Sequence, residues 1–336
     1  MKKTLLNYIC CPICSGEFEA ISIDSEKEEI INGKLFCNSC DINYPIIKGL
    51  PIILNKVGKM ANTKDAFSSQ WRILSKGGFE TNTIYSQEES EELNEFKKTF
   101  DINNWNELNG KSILDAGCGS GRLTSNVAKN AIDSTVIGID ISDGAVLANE
   151  RAMKSTNHHV IKCDINNLPF RKGLFNVIWS QGVIHHTQNT YNSFKKLLEI
   201  IDPNGQIYIL LYPNYIFGPY RFIRDILWKP YLIPKEYLYF FCWIIALPLY
   251  LCFYLKEKLT VNKKNIKNKT KFRTVVFGLF DNLAPEYQHR HSKAEVSRWF
   301  RDNNISEYRI VDDLGVVGID GEGRFIFENE EEEGGG

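Results

Sequence analysis

The chain is 336 residues long, enough for two domains, or one large domain with insertions, at roughly 100–200 residues each. Apolar residues at 43% and charged residues at 24% are ordinary globular usage and exclude a wholly disordered or collagen-like chain. Lys plus Arg is 40 against 41 Asp plus Glu, and the resulting net charge of −1 counts against a dedicated nucleic-acid binder.

Residues 1–55 form one β-rich unit. Lys2 and Lys3 precede an apolar run that Asn7 and then the cysteines interrupt. It is too short and polar for a signal peptide, so the expected location is the cytoplasm. Of nine cysteines, Cys11/Cys14 and Cys37/Cys40 form two CxxC pairs, while Cys10, Cys118, Cys163, Cys242 and Cys252 receive no role. An odd count with two such pairs points to a reduced metal site rather than a disulfide framework. Each CxxC knuckle turns two sulfurs toward one point, and two knuckles complete a tetrahedral Cys₄ shell for a structural Zn²⁺. So small a unit buries little core. Metal binding supplies on the order of 10–16 kcal/mol in comparable peptides. The alternative is buried or redox cysteines. With Leu35-Phe36-Cys37-Asn38-Ser39-Cys40, Tyr44-Pro45-Ile46 and Gly49-Leu50-Pro51-Ile52-Ile53-Leu54, the unit resembles the small zinc-ribbon family that activates tRNA, rRNA and release-factor methyltransferases. That resemblance implies a ribbon packed against a methyltransferase fold, here on the same chain.

Residues 56–110 are polar and helix-prone, with Glu88, Glu89, Glu91 and Glu92 opening a charged face, and read as a helical N-terminal cap. Strand-like segments at 111–116, 135–140, 158–163, 175–180 and 206–212 then alternate with helical patterns. Such alternation means βαβ units and a parallel sheet. The run Asp115-Ala116-Gly117-Cys118-Gly119-Ser120-Gly121-Arg122 places glycine at every second position after an apolar strand. A dinucleotide fingerprint would need glycine where Arg122 stands. The pattern D-x-G-x-G-x-G instead resembles motif I of class I S-adenosylmethionine (SAM) dependent methyltransferases. The resemblance implies an α/β, doubly wound Rossmann-like sheet over 111–212 and 285–328, with SAM held by Asp115, Gly117, Cys118, Gly119 and Gly121. Asp140, followed by Ile141, ends the second strand, where a carboxylate accepts ribose hydroxyls. By resemblance Asp164 meets the adenine amino group, and Ile141, Ile165 and, at the end of the fourth strand, Ser180 and Gln181 complete the cofactor-binding set. The family pattern has Asp where Asn176 stands, and two glycines at Asn204-Gly205. Phe67-Ser68-Ser69-Gln70-Trp71 and Tyr85 resemble a cap over the cofactor; ordinary helix packing is the alternative.

Methyl transfer from a sulfonium is an in-line displacement, and aligning the acceptor can remove roughly 7–11 kcal/mol of barrier. An acidic acceptor also needs a base. His185 and His186 follow the fourth strand, at the sheet end where such folds bind ligands. The segment Pro285-Glu286-Tyr287-Gln288-His289-Arg290-His291-Ser292 adds Tyr287, His289 and His291, with Ser292 as N-cap and Glu295 completing a capping box. The alternatives are a helix-capping His pair and a loop packed by its own aromatics. Ser180-Gln181-Gly182 replaces the Asn/Asp-Pro-Pro-aromatic motif that holds planar amino groups, which argues against amide and adenine N-methylation.

Residues 213–284 break the alternation. Tyr237–Leu255 is nineteen residues without a charge. As a helix it is about 28 Å long, near the ~30 Å of a bilayer core. Strands expected after 304 must return to the same sheet, Arg221, Arg224, Asp225 and Lys229 crowd the upstream flank, and Pro248 interrupts the run. The segment therefore reads as a lid or an element in the membrane interface. Between Lys256 and Arg273 lie eight cations, with only Glu257 opposing. This suits anionic lipid, with RNA phosphate and a solvated loop as alternatives. A helix over 293–303, β-rich runs at 305–311 and 324–328 and a disordered tail at 329–336 complete the reading. The expected activity is SAM-dependent methylation of a small or lipid-like hydrophobic acceptor on oxygen or carbon. The alternatives are rRNA or tRNA methylation, and a non-catalytic SAM-binding scaffold acting through its ribbon.

Overall fold

The computed structural model describes residues 1–26, 29–54, 61–78, 89–214, 223–260, 271–305, 307–310 and 315–319. Tyr85, Arg221, the lysines at 263–269, the run 324–328 and the tail lie outside the described residues.

The ribbon carries β1 (Glu19–Glu26), β2 (Glu29–Cys37), β3 (Ile42–Ile47) and β4 (Leu50–Ile53). Two helices follow, α1 (Ala61–Ser75) and α2 (Glu89–Thr99). The alternating unit is β5 (Ser112–Ala116), α3 (Arg122–Asn130), β6 (Thr135–Asp140), α4 (Gly144–Ala152), β7 (His158–Cys163), β8 (Phe175–Gln181), α5 (Thr190–Leu198) and β9 (Ile201–Leu210). The remainder is α6 (Lys235–Thr260), α7 (Phe272–Leu283), α8 (Lys293–Asp302), β10 (Glu307–Ile310) and β11 (Gly315–Ile319).

The described strands make one sheet, in the order β1-β2-β3-β4-β7-β6-β5-β8-β9-β11-β10. Strands β5 to β9 pair in parallel, and β11 returns antiparallel to β9, with Val317 opposite Tyr208. The fifth strand begins five residues earlier than its pattern suggested, at Ile201, and the last strand is Gly315–Ile319 rather than 324–328. The chain steps outward from β5 to β7, then restarts at β8 on the other side of β5. That reversal opens a crevice at the carboxyl ends of β5 and β8.

Alternate residues divide two cores. Leu114, Ile139, Ile178 and Ile209 pack under α5 and α8 with Phe194, Leu197, Trp299 and Phe300. Ile113, Val136, Val177 and Tyr208 face the other way, onto Phe96 of α2 and Val127 of α3. Both faces are covered, which is why these strands read as nearly unbroken apolar runs. Asn176, where the family pattern has Asp, accepts on its side-chain carbonyl from Ser112 N–H (2.9 Å) at the start of β5.

The ribbon is not set apart from this sheet. Its β4 pairs in parallel with β7, Ile52 opposite Lys162 and Ile53 opposite Cys163. Leu5, Ile9, Leu35, Tyr44, Ile46 and Ile53 belong to the same apolar cluster as Leu114 and Ile161. Lys2 Nζ donates to the carbonyls of Ala152 (2.9 Å) and His158 (3.1 Å), Tyr8 shares a hydrogen bond with Thr135, and Cys10 N–H donates to the Pro169 carbonyl.

Candidate functional site

The four ribbon thiols converge. The sulfurs of Cys11, Cys14, Cys37 and Cys40 lie within 4.8 Å of one another. Cys11 and Cys40 are 3.9 Å apart, and Cys14 and Cys37 3.5 Å. A tetrahedral ion with metal–sulfur bonds near 2.3 Å requires edges of about 3.8 Å, and the two short sulfur pairs bracket that length, so the set suits zinc. Both knuckles end on a residue with positive φ, Ser15 (60°) and Asp41 (52°), the reversal that brings the second cysteine round.

The crevice at the switch point is a cavity of about 380 Å³, within the range of small-molecule sites. The loop after β5 forms its floor. Gly117 has φ +94°, and a Cβ there would stand 2.2 Å from the Val183 side chain. At Gly119 (φ +53°) it would meet the Trp71 ring at 2.3 Å. The loop is thus held where only a bare backbone fits, with its surface turned to the cavity. Asp140 braces it: Oδ2 accepts from Gly119 N–H (2.8 Å), while Oδ1 accepts from Ser142 N–H (2.7 Å) and its hydroxyl (2.5 Å).

Of the expected cofactor residues, Asp115, Gly117, Cys118, Gly119, Asp140, Ile141, Asp164, Ile165 and Gln181 line the cavity. Two do not. Gly121 is the N-cap of α3, pressed on Ala148, and Ser180 is buried, its hydroxyl donating to the Ala116 carbonyl (3.0 Å). Both hold the loop rather than face the cavity. Sequence reasoning missed one pair: Glu92 of α2 and the buried Arg122 form a part-buried bidentate salt bridge in the wall (2.8 and 2.5 Å). Glu92 sits in an acidic run that looks like a solvated helix face, so only the tertiary contact distinguishes it.

The lining carries four carboxyl groups, Glu92, Asp115, Asp140 and Asp164, and a single guanidinium, Arg122, already paired with Glu92. That balance suits a cationic ligand and would repel a pyrophosphate. Burial pushes the Asp115 carboxyl from 3.8 up to about 7, although Thr124 donates to it (2.5 Å). A raised carboxyl pKa means the fold favours the neutral acid. The penalty is absent below the unfolded value of 3.8 and complete above about 7. Asp115→Asn is therefore expected to stabilise the unliganded protein near pH 8 by up to about 4 kcal/mol. The gain shrinks as pH falls toward about 4; urea unfolding at several pH values checks it.

The five candidate catalytic residues separate. His186 lines the cavity, its Nδ1–H donating to the Tyr287 carbonyl (2.8 Å), which leaves Nε2 as the basic nitrogen. Burial lowers its pKa, so the imidazole is neutral over the neutral range. His185 is fully buried behind it, 4.0 Å from the Tyr212 ring, with neither ring nitrogen hydrogen-bonded. His289 is outside the lining, and its Nε2–H donates to the Gln188 carbonyl (3.1 Å). His291 is engaged at both nitrogens, by Glu295 (3.1 Å) and Thr190 (3.0 Å). Tyr287 contributes its carbonyl rather than its ring to the site. Ser292 does cap α8, accepting from Glu295 N–H (3.1 Å), but the Glu295 carboxylate goes to His291. These three loop residues act as fasteners because the loop folds over α5 instead of into the crevice.

The cavity roof is aromatic. Phe67 and Trp71 of α1 cover it, and Tyr212, just past β9, completes the wall. The Tyr212 hydroxyl donates to the buried Asp281 of α7 (2.8 Å), which also accepts from Gln70 of α1 (3.1 Å). The segment after β9 thus ties the insert to the site, an arrangement that no local motif announces.

A glycine-cradled acidic crevice at the switch point of this strand order defines a Rossmann-like fold of the methyltransferase type. Residues 114–209 match the family model described as methyltransferase domain, and residues 2–49 match that of Trm112p-like protein. The two matched segments fall on the ribbon and on the alternating unit, which are thus similar to a Trm112p-like protein and to a methyltransferase domain. It is 31% identical over 102 residues to a 27-O-demethylrifamycin SV methyltransferase of Amycolatopsis mediterranei, covering 29% of this chain and 37% of that protein. To a tRNA U34 carboxymethyltransferase of a Geobacter species it is 28% identical over 103 residues, covering 30% and 32%. It spans about a third of the length of both relatives. Among solved structures, a complex containing the Haloferax volcanii Trm112 methyltransferase activator aligns with a TM-score of 0.45 at 14% identity, covering 79% of this chain and 100% of that one.

Proposed function

We propose that this cytoplasmic chain transfers the methyl group of SAM to a small or lipid-like hydrophobic acceptor, on oxygen or carbon. The observation that carries the reading is a single cavity lined both by the glycine loop with its carboxylates and by Phe67, Trp71, Tyr212 and His186. When bound, SAM supplies an electrophilic methyl group on a sulfonium. The loop at Gly117 and Gly119, with Asp140, Asp164 and Gln181, holds it, and the surplus of carboxylates favours its positive charge. Phe67, Trp71 and Tyr212 exclude water and orient an apolar acceptor. His186 takes the acceptor proton on Nε2 while the Tyr287 carbonyl fixes its ring.

His186→Ala is expected to lower kcat roughly 10²–10⁴-fold. His186→Asn keeps a donor toward the Tyr287 carbonyl but removes Nε2, so an equal loss identifies a base; recovery in the Asn variant identifies a structural role. The wild-type rate stays constant on lowering the pH through 6.5 and declines only below it, because burial depresses the His186 pKa.

Methylation of tRNA or rRNA is the second reading, favoured by the Trm112p-like ribbon. Incubation with methyl-labelled SAM and fractionated lysate decides. Label in the small-molecule or lipid fraction supports the proposal, label in RNA supports the second reading, and label in none supports a scaffold. Absence of SAM or S-adenosylhomocysteine binding by calorimetry defeats all three.

A further inference from the structure

Helix α6 buries one side only. Leu238, Cys242 and Ala246, spaced by four residues, pack with Val276, Phe277 and Phe280 of α7 and Ala66 and Leu74 of α1. The opposite side carries Tyr237, Phe240, Phe241, Ile244, Leu251 and Leu255, between 44% and 66% exposed. At about 100° per residue these six fall on one face, turned away from the buried stripe. Water should not face a stripe this long and apolar, so the face is built for a partner.

Two observations identify the partner. The first is charge. The sequence that continues from this helix has eight cations between Lys256 and Arg273, with Glu257 the sole opposing charge. In a protein whose net charge is −1, this dense run of positive charge follows directly in sequence on the long uncharged stretch Tyr237–Leu255. The second is topology. The window Lys235–Cys252 is long and apolar enough to cross a bilayer, and 22% of it is buried. Yet the helix is committed to the domain on its packed side, Arg273 Nη1–H donates to the Gly77 carbonyl (2.7 Å), and β11 returns to β9. A helix fastened along its length lies in the interface instead of crossing alone.

We infer that the outer face of α6 docks on the surface of an anionic lipid bilayer, its aromatic and aliphatic side chains entering the acyl boundary and the basic run meeting the head groups. The surface is close to the candidate site. α6 packs on α7, and α7 holds Tyr212 in the cavity wall through Asp281. The inference does not depend on which acceptor is methylated.

Vesicle co-sedimentation of the full chain tests it, using phosphatidylcholine alone and phosphatidylcholine with equal phosphatidylserine. Wild-type protein is expected to bind the mixed vesicles at least about tenfold more tightly than the neutral ones, with the difference reduced at high salt. The triple variant Phe240→Glu, Ile244→Glu, Leu251→Glu should lose binding to both while keeping the wild-type melting temperature, since all three side chains are exposed. Replacing Lys263, Lys264, Lys267 and Lys269 by Gln should abolish the anionic preference. Binding to neither vesicle, or binding that survives the triple variant, overturns the inference. So does a stable dimer that the triple variant dissociates and that ignores vesicles, or salt-sensitive RNA binding without vesicle binding.

Discussion

Removing the metal from the ribbon is expected to unfold residues 1–54 and to disable a cavity that contains none of the four thiols. A Cys₄ zinc site of this kind contributes on the order of 10–16 kcal/mol, comparable with the whole stability of a domain. The ribbon cannot replace that loss, because its apolar residues are few and already shared with the core of the larger domain. The damage propagates through β4. Its Ile53 stands opposite Cys163, and Asp164, next in sequence, lines the cavity. Without β4 the edge of β7 lies open, and an unpaired parallel edge is an aggregation site. Strong chelation, or Cys37→Ser at a fully buried ligand, should therefore lower the melting temperature, release one zinc per chain by mass spectrometry, and abolish S-adenosylhomocysteine binding. A ribbon that melts alone while ligand affinity is retained would show that the β4–β7 pairing is dispensable.

Gly117→Ala is expected to weaken S-adenosylhomocysteine binding roughly 10–100-fold and to cost about 1–3 kcal/mol of folding stability. The φ of +94° lies outside the region that alanine occupies comfortably, and the new methyl would meet the branched Val183 side chain at 2.2 Å. Val183 is itself part of the lining and precedes the turn Ile184–His186. Relief of the clash therefore moves either the loop or the histidine turn, and both border the cavity. Calorimetric titration measures the loss. The double variant Gly117→Ala, Val183→Ala separates the two causes: recovery assigns the loss to the clash, and persistence assigns it to backbone strain.

The parts legible in the sequence are those whose chemistry depends on near neighbours. Two CxxC spacings bring four sulfurs together in any chain that can turn a hairpin, and they meet here. An aspartate followed by glycines at every second position marks a strand turning into a helix around a ligand, and Asp115, Gly117 and Gly119 lie in the cavity. The catalytic candidates were different. Four histidines and Tyr287 at plausible places resolve into one that lines the cavity, one sealed behind it and three residues that fasten a loop. A histidine's role depends on which way its turn is rotated, and a single-residue shift exchanges His185 for His186.

The sequence by itself pointed to the four clustered thiols, the glycine floor and the succession of strands around it, because short spacings and unbroken apolar runs are local properties. Only the tertiary structure decided that β4 extends the main sheet, that Glu92 pairs with Arg122, and that Tyr212 reaches Asp281 across the insert. Those contacts join residues far apart in the chain. Their free energy comes from burying apolar surface, with the polar and charged groups that go with it paired so that their desolvation is offset, which no stretch of sequence can do alone.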